Sequence, residues 1–268
     1  MTRVGFLGPG RMGRPMVGRL LAAGHEVVAL ARRPEVRADL AAAGARPVTS
    51  AAAAVAEAEV VVVCLFSDEQ LVEVCDGLDG LVAGVGPGVV VASHVTGRRT
   101  TVLGLGERLA ERGASLVDAP VSGGVDEIDA GRLTVMLGGS DSACAAATPV
   151  LGTYASPIIR TGELGSALAV KLVNNLLFAV HSQAASAAVE LADRLGVERA
   201  ALFEVLAHAS GNSYAASRLG AGDLDTWAEV IAPFLRKDVA ACAAELADAG
   251  VADGFLLDTA ARGPLPIT

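Results

Sequence analysis

The chain has 268 residues, of which 52% are apolar, 19% charged and 3% aromatic, and its formal net charge is −9 at pH 7. That length holds one large domain or two ordinary ones, and so apolar a composition belongs to a closely packed α/β or α protein rather than a disordered chain. The acidic balance, without a basic stripe or tail, argues against a nucleic-acid partner, and the interruption of every long apolar stretch by glycine, polar or charged residues argues against a membrane span.

The N-terminus moves at once into a β-branched run, Arg3–Leu7, with no charged and apolar leader, so a cytoplasmic protein with reduced cysteines is expected. The turn that follows, GFLGPGRMG, supplies Gly8-x-Gly10-x-x-Gly13 with Arg11 and Met12 inside it, directly before the amphipathic segment Met12–Ala23. A strand, a tight glycine turn and a helix start bring backbone N–H groups and a helix dipole to a pyrophosphate, so these residues are read as a dinucleotide site. The next strand, Glu26–Leu30, runs into Ala31-Arg32-Arg33. A carboxylate for the ribose hydroxyls is missing there, and two guanidiniums could clamp a 2′-phosphate, so NADP(H) is expected over NAD(H).

Val60–Leu65, VVVVCL, has no polar alternation and reads as a central strand covered on both faces. Further strands are expected at Gly88–Ser93, Ser115–Asp118 and Thr134–Leu137, with a helix at Thr100–Arg112. Alternation of this length implies βαβ units and a parallel sheet. The segment DAPVSGG, Asp118–Gly124, leaves a strand in a Ser-Gly-Gly turn whose successive N–H groups and Ser122 hydroxyl could hold a carboxylate. After about residue 162 the pattern becomes helical, at Ser166–Leu195, Val197–Ala209 and Pro233–Ala249. The expected organisation is therefore a doubly wound Rossmann-type domain at 1–162 and an all-α domain at 163–268, joined by the long helix. That helix carries Lys171 and Asn175 in an apolar background, and a lysine so placed either snorkels to water or serves chemistry.

Other chemistries find less support. The four cysteines have no CxxC spacing and the histidines no ligand spacing, so no metal is expected. Val-Ser-Gly around Ser122 lacks the nucleophile elbow of a serine hydrolase.

Taken together and in order, GFLGPGRMG, DAPVSGG, GSALAVKLVNN and FLRKDV at Phe234–Val239 resemble the β-hydroxyacid dehydrogenase family, which includes 3-hydroxyisobutyrate dehydrogenases and glyoxylate or succinic semialdehyde reductases. The resemblance, from residue 4 to about 250, implies an oxidoreductase with a Rossmann-type NAD(P) domain and an all-α domain that builds a homodimer or higher homo-oligomer. It implies that Lys171 is the catalytic lysine, with Asn175 one helical turn on. Ser122, Gly123 and Gly124 would hold the substrate carboxylate, and Lys237, beside Asp238, would reach cofactor and substrate. Leu65 and Phe66 would contact the cofactor, Phe66 replacing a usual proline. His94 stands where the family has threonine, and is read either as a donor near cofactor and substrate or as a packed strand-end residue. Glu127-Ile128 replace a usual Gly-Ala, and the chain stops soon after GPLPIT where the family continues into another helix. These changes point to a difference in substrate more than in cofactor.

The expected reaction is hydride transfer between the nicotinamide and a small aldehyde or keto acid, or a 3-hydroxyacid, with Lys171 giving or taking the proton at oxygen. The alternatives are an imine reductase, a related architecture that usually lacks the lysine, and a non-catalytic NADP-binding protein that keeps the fold.

Overall fold

The computed structural model describes residues 1–220, 224–252 and 254–267, with backbone alone at 224–227. The chain begins β1 (Arg3–Leu7), α1 (Gly13–Ala22), β2 (Glu26–Leu30), α2 (Pro34–Ala42), β3 (Arg46–Val48), α3 (Ala51–Val55) and β4 (Val60–Val63). It continues α4 (Asp68–Cys75), α5 (Leu81–Gly84), β5 (Val90–Ser93), α6 (Arg99–Ala110), β6 (Ser115–Asp118), β7 (Val121–Ser122), α7 (Val125–Asp129), β8 (Leu133–Gly138), α8 (Asp141–Leu151) and β9 (Ala155–Gly162). Helices alone follow: α9 (Ser166–Arg194), α10 (Arg199–His208), α11 (Tyr214–Gly220), α12 (Leu224–Asp248) and α13 (Phe255–Ala261).

The strands form one sheet in the order β3-β2-β1-β4-β5-β6-β8-β7, with β9 also on β8. From β3 to β6 all pairings are parallel, while β8 runs antiparallel to β6 and β7. The first six strands thus have the doubly wound order whose chain direction reverses between β1 and β4, where such sheets bind ligands at the strand carboxyl ends.

The valine run explains the layering. All four β4 valines are buried, and successive side chains point to opposite faces. Val60 and Val62 pack with Met16, Leu20 and Leu151 from α1 and α8. Val61 and Val63 pack with Leu71, Leu81, Leu105 and Leu109 from α4, α5 and α6. An unbroken apolar strand is what a two-faced core requires, as the lack of alternation predicts.

The chain divides into two compact units, Met1–Lys171 and Leu172–Thr268, and the division falls within α9, a little past the expected change of character at 162–163. Ala167 is buried and Leu168 packs into the sheet-side core, whereas Leu172, Leu176 and Ala179 belong to a helical core with Leu235 and Val239 of α12. α12 starts nine residues ahead of the expected Pro233, which lies inside it. Proline there removes one backbone hydrogen bond but does not end the helix, because Ala232, Leu235 and Val239 are anchored in the core. None of the described helices is long and apolar enough to cross a membrane.

In the helical unit, Gln183 of α9 is almost fully buried and closes the C-terminal turn. Its Nε2 donates to the carbonyls of Ala260 (2.7 Å) and Leu265 (3.0 Å), and its Oε1 accepts from the Leu265 N–H (2.8 Å). Replacing Gln183 by Leu strands one buried N–H and two carbonyls, each of which costs about 1–3 kcal/mol when left unmade. The expected outcome is a loss of about 3 kcal/mol or more in denaturant unfolding of the helical unit; a loss near zero would contradict the account.

Candidate active site

The glycine turn stands between β1 and α1, at the carboxyl edge of the sheet. Gly8 adopts φ +97°, and a Cβ there would lie 2.2 Å from the Cys64 carbonyl oxygen of the neighbouring strand connection. A Cβ on Gly13 would lie 2.2 Å from the Gly8 carbonyl oxygen. Both positions are demanded by protein packing. Gly10 differs: nothing lies within 4 Å of a Cβ placed on it, and the residue is exposed. Open space over a helix start, with the backbone bare, fits a diphosphate group. A cavity of about 480 Å³ opens beside it, lined by Gly8, Gly10, Arg32, Arg33, Leu65 and Glu73 among others. The residues present therefore fit the diphosphate and adenosine end of a dinucleotide. A cavity of about 270 Å³ at the amino ends of β1 and β2, lined by Arg3, Glu26, Arg46 and Glu57, lies on the edge that such sheets do not use.

Around the cavity, Arg32 pairs with Glu73 of α4, and Arg33 lies 3.4 Å from Glu35. All four side chains are more than half exposed. Glu73 escaped the sequence analysis because it comes from α4, far along the chain, and not from the end of β2. Arg11 is exposed and Met12 half-buried at the start of α1. Phe66 is 63% exposed just past Leu65, and its backbone N–H donates to Gln70 Oε1 (3.0 Å).

The second cluster forms where β6 ends. Asp118 is fully buried, yet its Oδ1 accepts from the Gly165 N–H and its Oδ2 from the Leu168 N–H, both at 2.8 Å. Burial raises its pKa, and the two backbone donors oppose that rise. These N–H groups belong to the start of α9, whose first-turn donors have no partner inside the helix. Asp118 thus caps, from 50 residues away, the helix on which Lys171 sits half-buried little more than one turn later. The same strand end leads into the Ser122–Gly124 turn. Sequence reasoning missed Asp118, although an acid ending an otherwise apolar strand is a signal.

The turn departs from expectation. Gly123 has φ +129°, and Gly124 starts the short helix α7. The Gly124 N–H, expected to face a substrate carboxylate, donates to Glu127 Oε2 at 2.7 Å. Glu127, replacing a small residue of the family pattern, reaches back from the third position of α7 and takes that donor. Ser122 and Gly123 remain at the bend.

His94 takes the packed position of its two readings, with its side chain turned into the protein. It is 5% exposed; Nδ1 meets the Ala119 carbonyl oxygen and Nε2 lies 2.9 Å from the Tyr154 hydroxyl. A carbonyl only accepts, so Nδ1 carries the proton and Nε2 accepts from Tyr154. Both ring nitrogens are spent inside the protein, leaving none for a ligand. Asn175, expected to serve lysine or substrate, is buried with its Nδ2 donating to Asp238 of α12 (2.8 Å) and its Oδ1 accepting from Asn174 (3.2 Å). Lys237 lies half-buried on α12 in the helical unit. Among the described residues no three His, Cys, Asp or Glu side chains gather as a metal site.

Residues 3–165 match the NAD binding domain of 6-phosphogluconate dehydrogenase, and residues 165–259 match the NAD-binding domain of NADP-dependent 3-hydroxyisobutyrate dehydrogenase. The L-threonate dehydrogenase of Cupriavidus necator is 37% identical over 212 residues, 79% of this chain and 71% of the relative. The chain belongs to the β-hydroxyacid dehydrogenase family. It is accordingly an NAD(P)-dependent oxidoreductase with a Rossmann-type domain and a helical domain. Among solved structures, a Mycobacterium tuberculosis 3-hydroxyisobutyrate dehydrogenase with L-serine superposes with a TM-score of 0.86 at 32% identity, over 97% of this chain and 91% of that one. An imine reductase of Streptomyces aurantiacus superposes at 0.67 with 21% identity over 97% and 93%, a likeness of fold alone.

Burial holds the His94 imidazole neutral, lowering its pKa from 6.5 to about 4 against the weaker opposing pull of the Ala119 carbonyl. The stability this contributes is complete above pH 6.5 and is lost as pH falls through the interval down to about 4, an effect of about 3 kcal/mol. The Tm of the parent should therefore drop more steeply across that interval than the Tm of His94→Gln. Parallel curves would refute the buried neutral imidazole.

Proposed function

We propose that this chain transfers hydride between NADP(H) and a small aldehyde or keto acid, or the matching 3-hydroxyacid, with Lys171 as general acid and base. The observation that carries the reading is the Asp118 bridge. It ties the start of the Lys171 helix to the strand end that leads into the Ser122–Gly124 bend, so two of the four family segments share one buried hydrogen-bonded junction.

Gly8, Gly10, Arg11, Met12 and Gly13 hold the diphosphate, and Leu65 and Phe66 flank the cofactor. The bound dinucleotide supplies hydride for reduction and takes it up in oxidation; every proton movement falls to the protein. In reduction the Lys171 ammonium donates to the carbonyl oxygen as that atom gains negative charge, and the product is the alcohol. In oxidation neutral Lys171 accepts the hydroxyl proton as the carbon–oxygen double bond forms. Ser122 and Gly123 orient the substrate acid; within the helical unit Asn175 and Asp238 buttress α9 against α12, next to Lys237, to which the family resemblance gives a substrate-binding role. A homodimer built on that domain fits the exposed Val173 and Leu177 of α9 and Val230 and Phe234 of α12.

Arg32 and Arg33 favour the 2′-phosphate. Their present partners are exposed carboxylates, and such pairs are worth about 0–1 kcal/mol, so exchange for a bidentate phosphate costs little. Neutral residues at both positions should weaken NADPH selectively in equilibrium titrations. Equal affinity of the parent for NADH and NADPH defeats the assignment.

The function itself is tested by turnover of a panel of glyoxylate, semialdehydes, L-threonate, L-serine and cyclic imines with both dinucleotides. Lys171→Ala should lower kcat by about 10²–10⁴-fold with dinucleotide affinity nearly intact. Loss of dinucleotide binding instead would mean that the lysine is misassigned. NADPH binding without turnover of any compound would make the chain a non-catalytic binding protein, and turnover of imines alone an imine reductase.

A further inference from the structure

We propose that Glu127 is a specificity-determining residue, one that makes the Ser122–Gly124 bend a reader of hydrogen-bond donors. Among small hydroxyacids the chain then favours those with an ammonium, or next a hydroxyl, on the carbon beside the carboxylate. The inference rests on the proposed reading that a substrate acid docks at this bend.

A bare glycine bend presents only N–H groups to an incoming carboxylate. Here the bend carries its own carboxylate. Glu127 Oε2 accepts from Gly124 N–H at 2.7 Å and would lie 3.5 Å from a Cβ on Gly124. The Glu127 stem folds over Gly123, where a Cβ would meet Glu127 Cβ and Cγ at 3.2 Å. The side chain is fixed in that pose from below. Its neighbour Ile128 is fully buried in the sheet-side core, so α7 cannot roll Glu127 away without unseating Ile128. Asp126 and Asp129 of the same short helix add exposed negative charge on either side.

Two consequences follow for a ligand. One donor of the bend is spent, and a second carboxylate placed there meets a like charge, which disfavours two ionised groups in one place. A substrate that brings a cation next to its carboxylate answers both: the carboxylate accepts from Ser122 Oγ and Gly123 N–H, while the ammonium donates to Glu127 in a charge-assisted bond. A hydroxyl on the same carbon donates without cancelling charge. A methylene does neither.

Serine, glycerate and 3-hydroxypropionate differ at that one carbon by ammonium, hydroxyl and hydrogen, and each presents the same 3-hydroxyl for oxidation. Initial rates with the preferred dinucleotide should give kcat/KM in that order in the parent, with serine at least about tenfold above 3-hydroxypropionate. In Glu127→Gln the advantage should shrink to about threefold or less, with dinucleotide affinity unchanged. Glu127→Gly, which removes side chain and cap together, should give the same collapse if the glutamine variant does not fold. Glu127→Asp, which keeps the charge, should retain the order. A parent that prefers 3-hydroxypropionate, or a neutral variant that keeps the parent's ratio, overturns the proposal. If none of the three acids is oxidised although the dinucleotide binds, the proposed function is decided by the wider substrate panel above. The same three acids titrated calorimetrically into dinucleotide-loaded parent and Glu127→Gln then judge Glu127 by the same order.

Discussion

A buried carboxylate between two backbone N–H groups holds the working parts of the first unit in register. Asp118 ends a central strand, and its two oxygens are filled by Gly165 and Leu168 at the start of α9. An ionised group with no exposure is stable only when its lone pairs are satisfied, and the unmatched donors of a helix start are strong and directional partners. The surroundings leave no slack. A Cβ on Gly138 would fall 2.4 Å from Asp118 Oδ1, so the partner strand β8 has to pass with a bare backbone. Strand end, bend and lysine-bearing helix are consequently one rigid corner.

The two departures from the family pattern near that corner act in opposite senses. His94 withdraws from chemistry: it becomes a neutral pillar between Ala119 and Tyr154, fastening the same DAPVSGG segment from below. Glu127 comes forward, placing a charge on the bend where the pattern has a small residue. Both are polar residues in a small-residue context, and sequence position alone does not separate them. Burial and the identity of the acceptor do.

How much of this was legible in the sequence depended on how local the cause is. The central strands show as unbroken apolar runs because both faces are covered, and the glycine turn shows because its three glycines keep a fixed short spacing between a strand and a helix, although the contact that demands Gly8 comes from the distant Cys64 carbonyl. The edge strands were missed: β3 contains Pro47, and β9 contains Pro157 and alternates poorly, with mostly exposed residues. The expected helix at Pro233–Ala249 starts late, because α12 runs from Leu224 straight through Pro233. Long-range polar pairings do not name their partners in the sequence: Asp118 with α9, Glu73 with Arg32, and Gln183 with the C-terminal turn each join residues at least 41 positions apart.

The glycine turn separates what folding requires from what a ligand requires. Gly8 and Gly13 cannot accept a methyl group without driving it into a carbonyl oxygen of the protein's own backbone, whereas Gly10 faces empty space. An alanine at position 10 would leave every internal contact of the turn in place and project only into the volume assigned to the diphosphate. Under the proposed function, one residue therefore offers a route to an intact but cofactor-blind form of the chain. Such a form would let the stability of the apoprotein be measured free of any dinucleotide carried over from the cell.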